Sequence, residues 1–388
     1  MLQIRINGAV YSGFTTATAT KTMQSLCGSF EFSTSGGDEL TLITKDIKLF
    51  DTAEIYADGV KVMTGYVEVL NISYSADSYS VVISGRERTC DVVDTRITTS
   101  FVNTQTKNYL DLITQAFKVV GFSTPSTNVI NIINNSTTSS DAFNSTDMQI
   151  AGDGQSLYDF LNLYAQKQFI VLITNENGDI ELANSGNEIS GYDIINFKGV
   201  DVKNNIYKAS VTYNVSQLFN TYQYRCNPNF IDVFDQQTSS AEQSTIVYTS
   251  QADDSVRVGR QYIDIDSEIY TLSKLKDRVA WKMQTNQANA RQYKVTLNGH
   301  TFTQTLEPTN INSFLDTESL VKPLKINQLI NVTDDICGIN EVMLIDELIY
   351  KMDESGNTLD ITLVNRNAYT LQAEDTILSN KFYGAGNV

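Results

Sequence analysis

A β-hairpin pattern that occurs twice, once near each end of the 388-residue chain, constrains the fold more than any other feature of the sequence. The first copy runs from Val62 to Arg86 and the second from Val342 to Arg366, so the two align without a gap at an offset of 280 residues. Alternating apolar residues mark the inward face of each copy. In this alignment Tyr79, Val81 and Ile83 correspond to Leu359, Ile361 and Leu363. The pattern predicts two similar β-modules in one chain, although unrelated amphipathic hairpins would also look alike.

Length and cysteine usage indicate a self-sufficient globular protein. A chain of this size corresponds to about two to four domains and can bury about three quarters of the surface that its unfolded form exposes. The four cysteines form no CxxC pair, which favours neither a zinc site nor a disulfide framework and is consistent with a reducing compartment. The amino terminus lacks the apolar core of a signal peptide, and no apolar run reaches membrane-spanning length. We therefore expect a soluble protein that does not insert into membranes.

The net charge of −17, from 45 acidic and 28 basic residues, bears on possible partners. An acidic surface repels phosphate, so the chain is a poor candidate for gripping nucleic acid. The same sign of charge would suit a passage that nucleic acid crosses without sticking, and simple solubility explains it equally well. With 20 tyrosines, 17 phenylalanines and only four prolines, the composition favours a strand-rich protein.

Residues 1 to about 98 read as nearly continuous short strands. Ile4 and Ile6 alternate with polar neighbours, and Phe30 and Phe32 do the same. Turn signals separate the strands at Asn7-Gly8, Gly36-Gly37 and Asp58-Gly59. Short strands at this spacing favour a barrel or a sandwich.

Helical spacing replaces the strand pattern between about 99 and 200. A helix through Leu110 and Phe117 is expected to end at Gly121, and Ser156 is expected to cap a second helix with Asp159 three residues on. A polar stretch from 123 to 147 between them is predicted to be a loop. A hairpin with strands from 169 to 174 and 180 to 183 completes a small α+β domain.

Residues 201 to 300 form a mixed segment with one long helix, and the second module follows from 301 to 372. The helix is predicted from Leu272 to Arg291, with the only tryptophan, Trp281, as a packing anchor. Its basic residues form either a solvated face or a docking surface for an acidic neighbour. Residues 200–215 are expected to pair with the second module, and residues 373–388 to form a loose or partner-bound tail.

Catalytic equipment is nearly absent from the sequence. There is one histidine, His300, so a nucleophilic triad or a multi-histidine metal site would have to use it. No GxSxG, HExxH, P-loop or GxGxxG motif occurs. Three carboxylates between Asp264 and Glu268 lack the glycine and the remaining ligands of a calcium loop. We predict no enzyme activity, no catalytic residues, no cofactor and no metal.

The sequence resembles a known family at several points in order along the chain. Gly65-Tyr66-Val67, followed by a hairpin and by Gly85 to Asp94, resembles a signature of the baseplate hub proteins of Mu-like contractile-tailed phages and prophages. Shorter matches occur at 11–14, 152–156, 278–281 and 350–356. Phe14 and His300 depart from the family, since tryptophan is common there, and Glu87 stands where a small hydroxyl residue is usual.

The resemblance implies a fold and an assembly. The fold would be mainly β with an α+β insert, in which two similar tube-like β-barrel domains (1–98 and 301–372) accompany smaller α+β domains. As in the related hubs of other contractile phages and of type VI secretion spikes, a homotrimer would adapt the hexameric tail tube protein to the trimeric central spike protein. It would also contact other baseplate proteins and enclose the channel for DNA. Such a protein is assembled in the bacterial host cytoplasm and resides in the virion tail baseplate.

Eight residues are singled out as structural motif residues. Arg86 is expected to form an ion pair with Asp91 or Asp94 at the closing corner of the first barrel, and Arg366 is its counterpart in the second copy. The full set is Gly65, Tyr66, Gly85, Arg86, Asp91, Asp94, Trp281 and Arg366.

Two other functional classes remain open on the sequence alone. A cell-wall hydrolase of the tail tip would use a pair of carboxylates that are distant in sequence, and it would be lytic in a zymogram. A receptor-binding or carbohydrate-binding tail-tip protein would use its many tyrosines for stacking and would bind glycans as an isolated trimer.

Overall fold

A computed structural model describes residues 1–11, 13–35, 46–75, 78–97, 106–122, 130–143, 149, 151, 154–186, 188–199, 204–226, 247–251, 256–266, 272–305 and 319–369. The turn expected at Gly36-Gly37, most of the polar stretch outside 130–143, and the tail after 369 lie outside these residues. None of the helices in the described part of the chain is long and apolar enough to cross a membrane.

Strands dominate the described chain, as the sequence predicts. They are β1 Leu2–Ile6, β2 Ala9–Tyr11, β3 Thr16–Thr22, β4 Ser29–Ser35, β5 Thr52–Ala57, β6 Val60–Tyr74, β7 Tyr79–Glu87, β8 Ile132–Asn134, β9 Val171–Thr174, β10 Ile180–Ala183, β11 Glu188–Asn196, β12 Ile206–Tyr213, β13 Thr221–Cys226, β14 Val247–Gln251, β15 Gln261–Asp266, β16 Arg291–Asn298, β17 Phe302–Thr305, β18 Ser319–Lys322, β19 Gln328–Asp334, β20 Ile339–Asp353 and β21 Gly356–Asn365. The helices are α1 Cys90–Asp94, α2 Tyr109–Val120, α3 Leu157–Lys167 and α4 Leu272–Asn289.

One sheet of 13 strands contains both copies of the repeated hairpin. Its first half has the neighbour order β3-β4-β7-β6-β5-β1, with β2 beyond β1. Its second half has the order β12-β16-β21-β20-β19-β11. Position by position the two orders match, and we call these six-stranded halves the first unit and the second unit. The predicted duplication is therefore present in the strand pairing, not only in the hairpins.

A bulge in each long strand fixes which residues of the two units are equivalent. In the first unit the bulge is at Glu68, between the pairs that Val67 and Val69 make with β7. In the second unit it is at Asp346, between Ile345 and Glu347. Superimposing the bulges gives an offset of 278 residues, so the expected offset of 280 is wrong by two. Because a shift of two keeps the same side chains on the same face, the inward pattern survives the correction.

The corrected offset changes which residues of the two hairpins are equivalent. Ile83 is equivalent to Ile361 and Arg86 to Val364, so Arg366 is not the counterpart of Arg86. Most of the residues predicted to face inward are nonetheless buried: Val81, Ile83, Leu359, Ile361 and Leu363 are each at most 1% exposed, whereas Tyr79 is half-buried.

The two units share one hydrophobic core. Ile4 and Phe32 of the first unit belong to the same buried cluster as Tyr293 and Leu363 of the second. Strand pairing in the described residues closes neither unit into a barrel, because β1 and β2 do not pair with β3 and β11 does not pair with β12. The mainly β class is confirmed, while the two separate tube-like barrels predicted from the sequence are not seen as closed sheets.

The α+β part agrees closely with the sequence. Helix α2 ends at Gly121, whose φ of 90° is the left-handed conformation of a glycine cap, and the Ser156 side chain accepts a hydrogen bond from the Asp159 N–H at the start of α3. The sequence predicts a loop for the polar stretch from 123 to 147, but this stretch contains β8, which pairs in parallel with β10. Three consecutive residues, Ile132 to Asn134, were too short a run to show the period of a strand.

The region between 201 and 300 contributes more to the main sheet than expected. β12 pairs with β16, and β16 pairs with β21, so the second unit extends well before residue 301. The long helix ends at Asn289, two residues earlier than predicted, because Arg291 begins β16 and its buried guanidinium contacts Glu341 at 2.7 Å.

The basic face predicted for the long helix is only partly solvated. The Arg278 guanidinium lies 4.9 Å from the Trp281 ring centroid, and the Lys282 ammonium lies 5.4 Å from that of Tyr262. Burial, followed by the charge of Arg278, lowers the pKa of Lys282. Arg278 thus covers a ring of its own helix and Lys282 covers a ring of β15, and both contacts are typical of cation–π packing.

We expect the Asp334→Asn substitution to destabilise the second unit in a pH-dependent way. Burial raises the pKa of Asp334, but hydrogen bonds from Tyr293 Oη at 2.7 Å and from the Ile336 and Cys337 N–H groups outweigh it and leave the pKa below its usual value. A lowered pKa stabilises the fold above the unfolded value of about 3.9, and this contribution is lost as the pH falls through the folded value.

The variant should lose about 1 to 3 kcal/mol at pH 7 and should show a smaller further loss at pH 3 than the parent. Urea midpoints at the two pH values measure both effects. Asp353→Asn, at the exposed C-terminal end of β20, is the control and should change neither. Equal acid sensitivity of the parent and the Asp334 variant would contradict the assignment.

Candidate functional site: the corner of the first unit and the junction of the two units

The signature residues meet on the paired strands β6 and β7. Gly65 lies opposite Glu87, Tyr66 opposite Arg86, and Val67 opposite Gly85. A Cβ added to Gly65 would overlap the Arg86 carbonyl oxygen, and one added to Gly85 would overlap the Tyr66 carbonyl oxygen. Glycine at both positions is therefore a steric requirement of this close approach. We call this region, from Gly65–Tyr66 to Gly85–Glu87, the corner.

Arg86 links the corner to the bulge and to α1. Its guanidinium donates to both carboxylate oxygens of Glu68, each at 2.7 Å, and to those of Asp94 at 2.6 and 3.2 Å. Of the two partners predicted for Arg86, Asp94 makes the ion pair. The hydrogen bond from Arg86 holds the pKa of Asp94 below its usual value, whereas burial raises the pKa of Asp91. Two forked contacts fix the guanidinium plane and with it the angle at which α1 leaves the sheet.

A buried ion pair lies on the inner side of the corner. Lys21 Nζ of β3 is 2.7 Å from Glu87 Oε1, and the two side chains are 9% and 2% exposed. Glu87 Oε2 also accepts the Gly28 N–H at 2.7 Å. Burial raises the pKa of Glu87, and Lys21 and the Gly28 N–H oppose this shift. Glu87 is one of the departures from the family pattern, and the ammonium of Lys21 accounts for it by supplying the charge that a buried carboxylate needs.

The hairpin of the α+β part docks onto the same corner. Thr64 Oγ1 donates to the Glu176 carbonyl at 2.7 Å, and Lys21 Nζ donates to the Asn175 carbonyl at 3.3 Å. In the same turn Gly178 has a φ of 76°, and a Cβ there would lie 2.9 Å from the Thr64 carbonyl oxygen. The corner thus fixes the α+β part to the first unit through backbone contacts that tolerate little displacement.

The junction of the two units is a direct strand pairing. β3 pairs antiparallel with the C-terminal half of β20, from Ala17 opposite Met352 to Thr22 opposite Glu347. At one end, Gln24 Nε2 and Tyr369 Oη donate to the Asp346 carboxylate at 2.8 and 3.1 Å. Burial raises the pKa of Asp346.

A polar contact joins the units near the chain terminus. The Asp58 carboxylate accepts the His300 N–H at 3.1 Å and pairs with the terminal ammonium of Met1. His300 Nε2 lies 2.8 Å from the Lys351 carbonyl oxygen, and burial lowers the pKa of the imidazole. Since the side chain is buried and this ring nitrogen faces a backbone carbonyl, His300 is not placed to serve a nucleophile.

The remaining predicted residues lie elsewhere. Trp281 is 7% exposed within α4, and Arg366 is exposed just beyond the end of β21, so neither joins the corner. Within the described ranges, no three His, Cys, Asp or Glu side chains are grouped so as to hold a metal ion. The arrangement can orient and lock strands; it assembles no catalytic constellation in this part of the chain.

Sequence reasoning missed three residues of the corner and the junction, which are Lys21, Glu68 and Asp346. Lys21 and Glu87 are 66 positions apart, and nothing local marks the lysine as buried. Glu68 and Asp346 carried a detectable signal, because both hairpins have an acidic residue at the bulge once the offset of 278 is used. That signal was hidden by the offset of 280.

Removal of the Lys21 ammonium should destabilise the protein strongly. Lys21→Met leaves the Glu87 carboxylate buried without a counter-charge, and we expect a loss of about 3 to 5 kcal/mol in the free energy of unfolding. The double variant Lys21→Met/Glu87→Gln should recover most of it, because the buried charge is then absent. Denaturant midpoints measure both.

Lys61→Met is the matched control, since Lys61 pairs with Glu54 at 3.4 Å on a more exposed part of the same unit. Its cost should be about 0 to 1 kcal/mol. A Lys21 variant no less stable than this control would show that the pair does not hold the corner.

The part of the chain that forms the first unit and ends in the corner is similar in sequence to known proteins. Residues 1–87, which end in the corner, match the family model of the Mu phage baseplate assembly protein GpP-like, N-terminal. The baseplate hub protein gp44 of Escherichia phage Mu is 30% identical over 93 residues, or 24% of this chain. The aligned segment spans only 24% of that curated relative.

Two solved structures extend the likeness in fold. The 43 kDa tail protein of prophage MuSo2 from Shewanella oneidensis superimposes with a TM-score of 0.74 at 20% identity, over 95% of this chain and 98% of the other. The Escherichia coli c3393 protein is a component of the type VI secretion system with structural similarity to T4 bacteriophage tail proteins gp27 and gp5. It gives a TM-score of 0.53 at 11% identity, over 96% and 80% of the two chains. The predicted resemblance is confirmed: this chain is similar to the baseplate hub proteins of Mu-like phages in the sequence of its first unit, and it has the fold of phage tail proteins over nearly its whole length.

Proposed function

We propose that the protein is a structural component of a contractile phage tail, a baseplate hub of which three copies form a ring. The ring adapts the hexameric tail tube to the trimeric central spike, contacts other baseplate proteins and encloses the channel through which DNA passes. One observation carries the proposal: a single chain holds two units with the same strand order and the same bulge, joined in one sheet.

Symmetry explains why a duplicated chain suits this role. A trimer can present six equivalent surfaces only if each chain contributes two similar ones. The two units meet this condition in strand order, in the acidic bulge residue and in the buried face of the hairpin. Where the units differ, the ring keeps only threefold symmetry, which is what a trimeric spike requires.

The named relatives support the choice of partners. The similar Mu protein is itself called a baseplate hub, and the similar type VI protein is a secretion-system component likened to phage tail proteins. By the same likeness, the tail tube and spike proteins of the same phage are the partners of this chain, and the virion baseplate is its location.

The corner contributes rigidity, not chemistry, in this proposal. Arg86 with Glu68 and Asp94, and Lys21 with Glu87, hold the first unit and the α+β part in one fixed arrangement. A hub that transmits force between tube and spike needs such a fixed arrangement. No catalytic step is assigned to it.

The net charge of −17 fits the proposed channel. Carboxylates on the wall of a channel repel the phosphates of passing DNA and so prevent it from sticking. In a structure of the trimer the lumen is therefore expected to be acidic, and a basic lumen would contradict this part of the proposal.

The decisive experiment measures assembly. Light scattering of the purified protein should give three times the chain mass of 43.2 kDa, and adding the tail tube and spike proteins of its phage should raise the mass further as the hub binds both. A protein that remains monomeric even with the spike would overturn the proposal.

Two parallel assays separate the other classes. Binding of the isolated trimer to glycans or whole cells would favour a receptor-binding or carbohydrate-binding tail-tip protein. A lytic band in a zymogram that disappears on changing one carboxylate would favour a cell-wall hydrolase. We expect both assays to be negative.

A further inference from the structure

We propose that β12 of one chain pairs with the outer edge of β6 of a neighbouring chain, over residues Val69–Tyr74. The pairing would repeat, between chains, the junction that β3 and β20 form within one chain. The number of chains in the ring rests on the proposed function, whereas the pairing itself rests on the internal repeat of the sheet.

The repeat supplies the template. β3 occupies the first position of the first unit, and β12 occupies the first position of the second. β6 and β20 are likewise the equivalent long strands, matched at their bulges. Within the chain, the first-position strand of one unit pairs with the C-terminal half of the long strand of the other. The equivalent pairing would place β12 beside the C-terminal half of β6. Because these two strands lie far apart in the strand order of one chain, the β12 strand must come from a second chain.

Both strands have an open side in the described structure. From Val69 onward β6 pairs with β7 on one side only, because its pairing with β5 ends at Tyr66. β12 pairs with β16 and stands at the end of the strand order. The stretch Val69–Tyr74 contains no charged residue and no proline, and β12 contains a single lysine, Lys208. Natural proteins usually protect free edges with charged residues and proline, so the lack of both on Val69–Tyr74, and the presence of only one lysine on β12, favour pairing.

The exposure of equivalent side chains in the two units also supports a pairing between chains. Ile72 is 43% exposed, whereas its equivalent across the offset of 278, Tyr350, lies in the existing junction and is 1% exposed. Val69 and Tyr74 are 51% and 84% exposed. The same holds on β12, where Val211 is half-buried and its equivalent in β3, Ala19, is fully buried. Side chains that the junction covers in one unit are thus left open in the other.

The template also sets the register. Thr18 lies opposite Lys351, Ala19 opposite Tyr350, and Thr20 opposite Ile349. The shared pairing with β4 and β16 makes these β3 residues equivalent to Ser210, Val211 and Thr212. The predicted pairs between chains are therefore Ser210 with Ser73, Val211 with Ile72, and Thr212 with Asn71. This contact joins two different surfaces, and such head-to-tail contacts generate closed rings when the rotation fits.

Cysteine cross-linking tests the register. Asn71→Cys and Thr212→Cys are made in separate chains, mixed and oxidised; the proposal expects a disulfide-linked dimer, and a chain with both changes should give linked trimers. Asn71→Cys mixed with Lys208→Cys is the matched control, because position 208 lies four residues along the same strand, about 13 Å from the predicted partner. It should cross-link at least tenfold less.

Light scattering of the same samples separates this inference from the proposed function. A trimer without the Asn71–Thr212 cross-link would overturn the pairing and leave the hub intact. Cross-linked dimers or open chains with no trimer would support the pairing and contradict the ring of three. Equal cross-linking at positions 212 and 208, or no cross-link in a protein that stays monomeric, would overturn the pairing.

A charge substitution gives a second, independent measurement. Ile72→Asp should weaken self-association at least tenfold, since it places a carboxylate at the centre of the new ladder. Val10→Asp, on edge strand β2 of the same sheet, is the control, because Val10 is 55% exposed and lies outside the proposed contact. Circular dichroism verifies that both variants fold. Unchanged association of the Ile72 variant would overturn the inference.

Discussion

The antiparallel ladder between β3 and β20 is the interaction on which the architecture depends. It turns two separate six-stranded units into one sheet with a common core, and it fixes their relative orientation through backbone hydrogen bonds. Backbone pairing is well suited to this task because it specifies register as well as contact. At the end of the ladder, Asp346 adds side-chain hydrogen bonds from Gln24 and Tyr369 to the backbone pairing.

Local patterns in the sequence predicted the elements well. Apolar alternation identified the hairpins, helical spacing with Gly121 and Ser156 bounded two helices, and the turn residues from 175 to 178 placed a third hairpin. These features succeed because their causes lie within a few residues of one another. The order of the strands in the sheet could not be read in this way, since β16 and β11 join the second unit through contacts with distant segments.

In the candidate site, too, residues with a local sequence signal were predicted and residues defined by distant partners were not. Gly65, Gly85 and Arg86 were recognisable because a close strand approach and a forked ion pair leave a short motif. Lys21 was not, because a buried lysine is identified only by its distant partner. The offset of 280 instead of 278 arose because two-residue periodicity cannot distinguish shifts of two. Only the bulges at Glu68 and Asp346 resolve it.

The outermost strand differs between the otherwise matching units. β1 runs antiparallel to β5, whereas β11 runs parallel to β19. In a closed assembly of three chains, the surfaces built from these strands would alternate in kind around the circumference. A partner that contacts only the hairpins would find six nearly identical binding surfaces. A partner that also contacts β1 or β11 would find three surfaces of one kind and three of another. In the proposed trimer, a single reversed strand would thus be enough to give one surface nearly sixfold symmetry and another surface threefold symmetry.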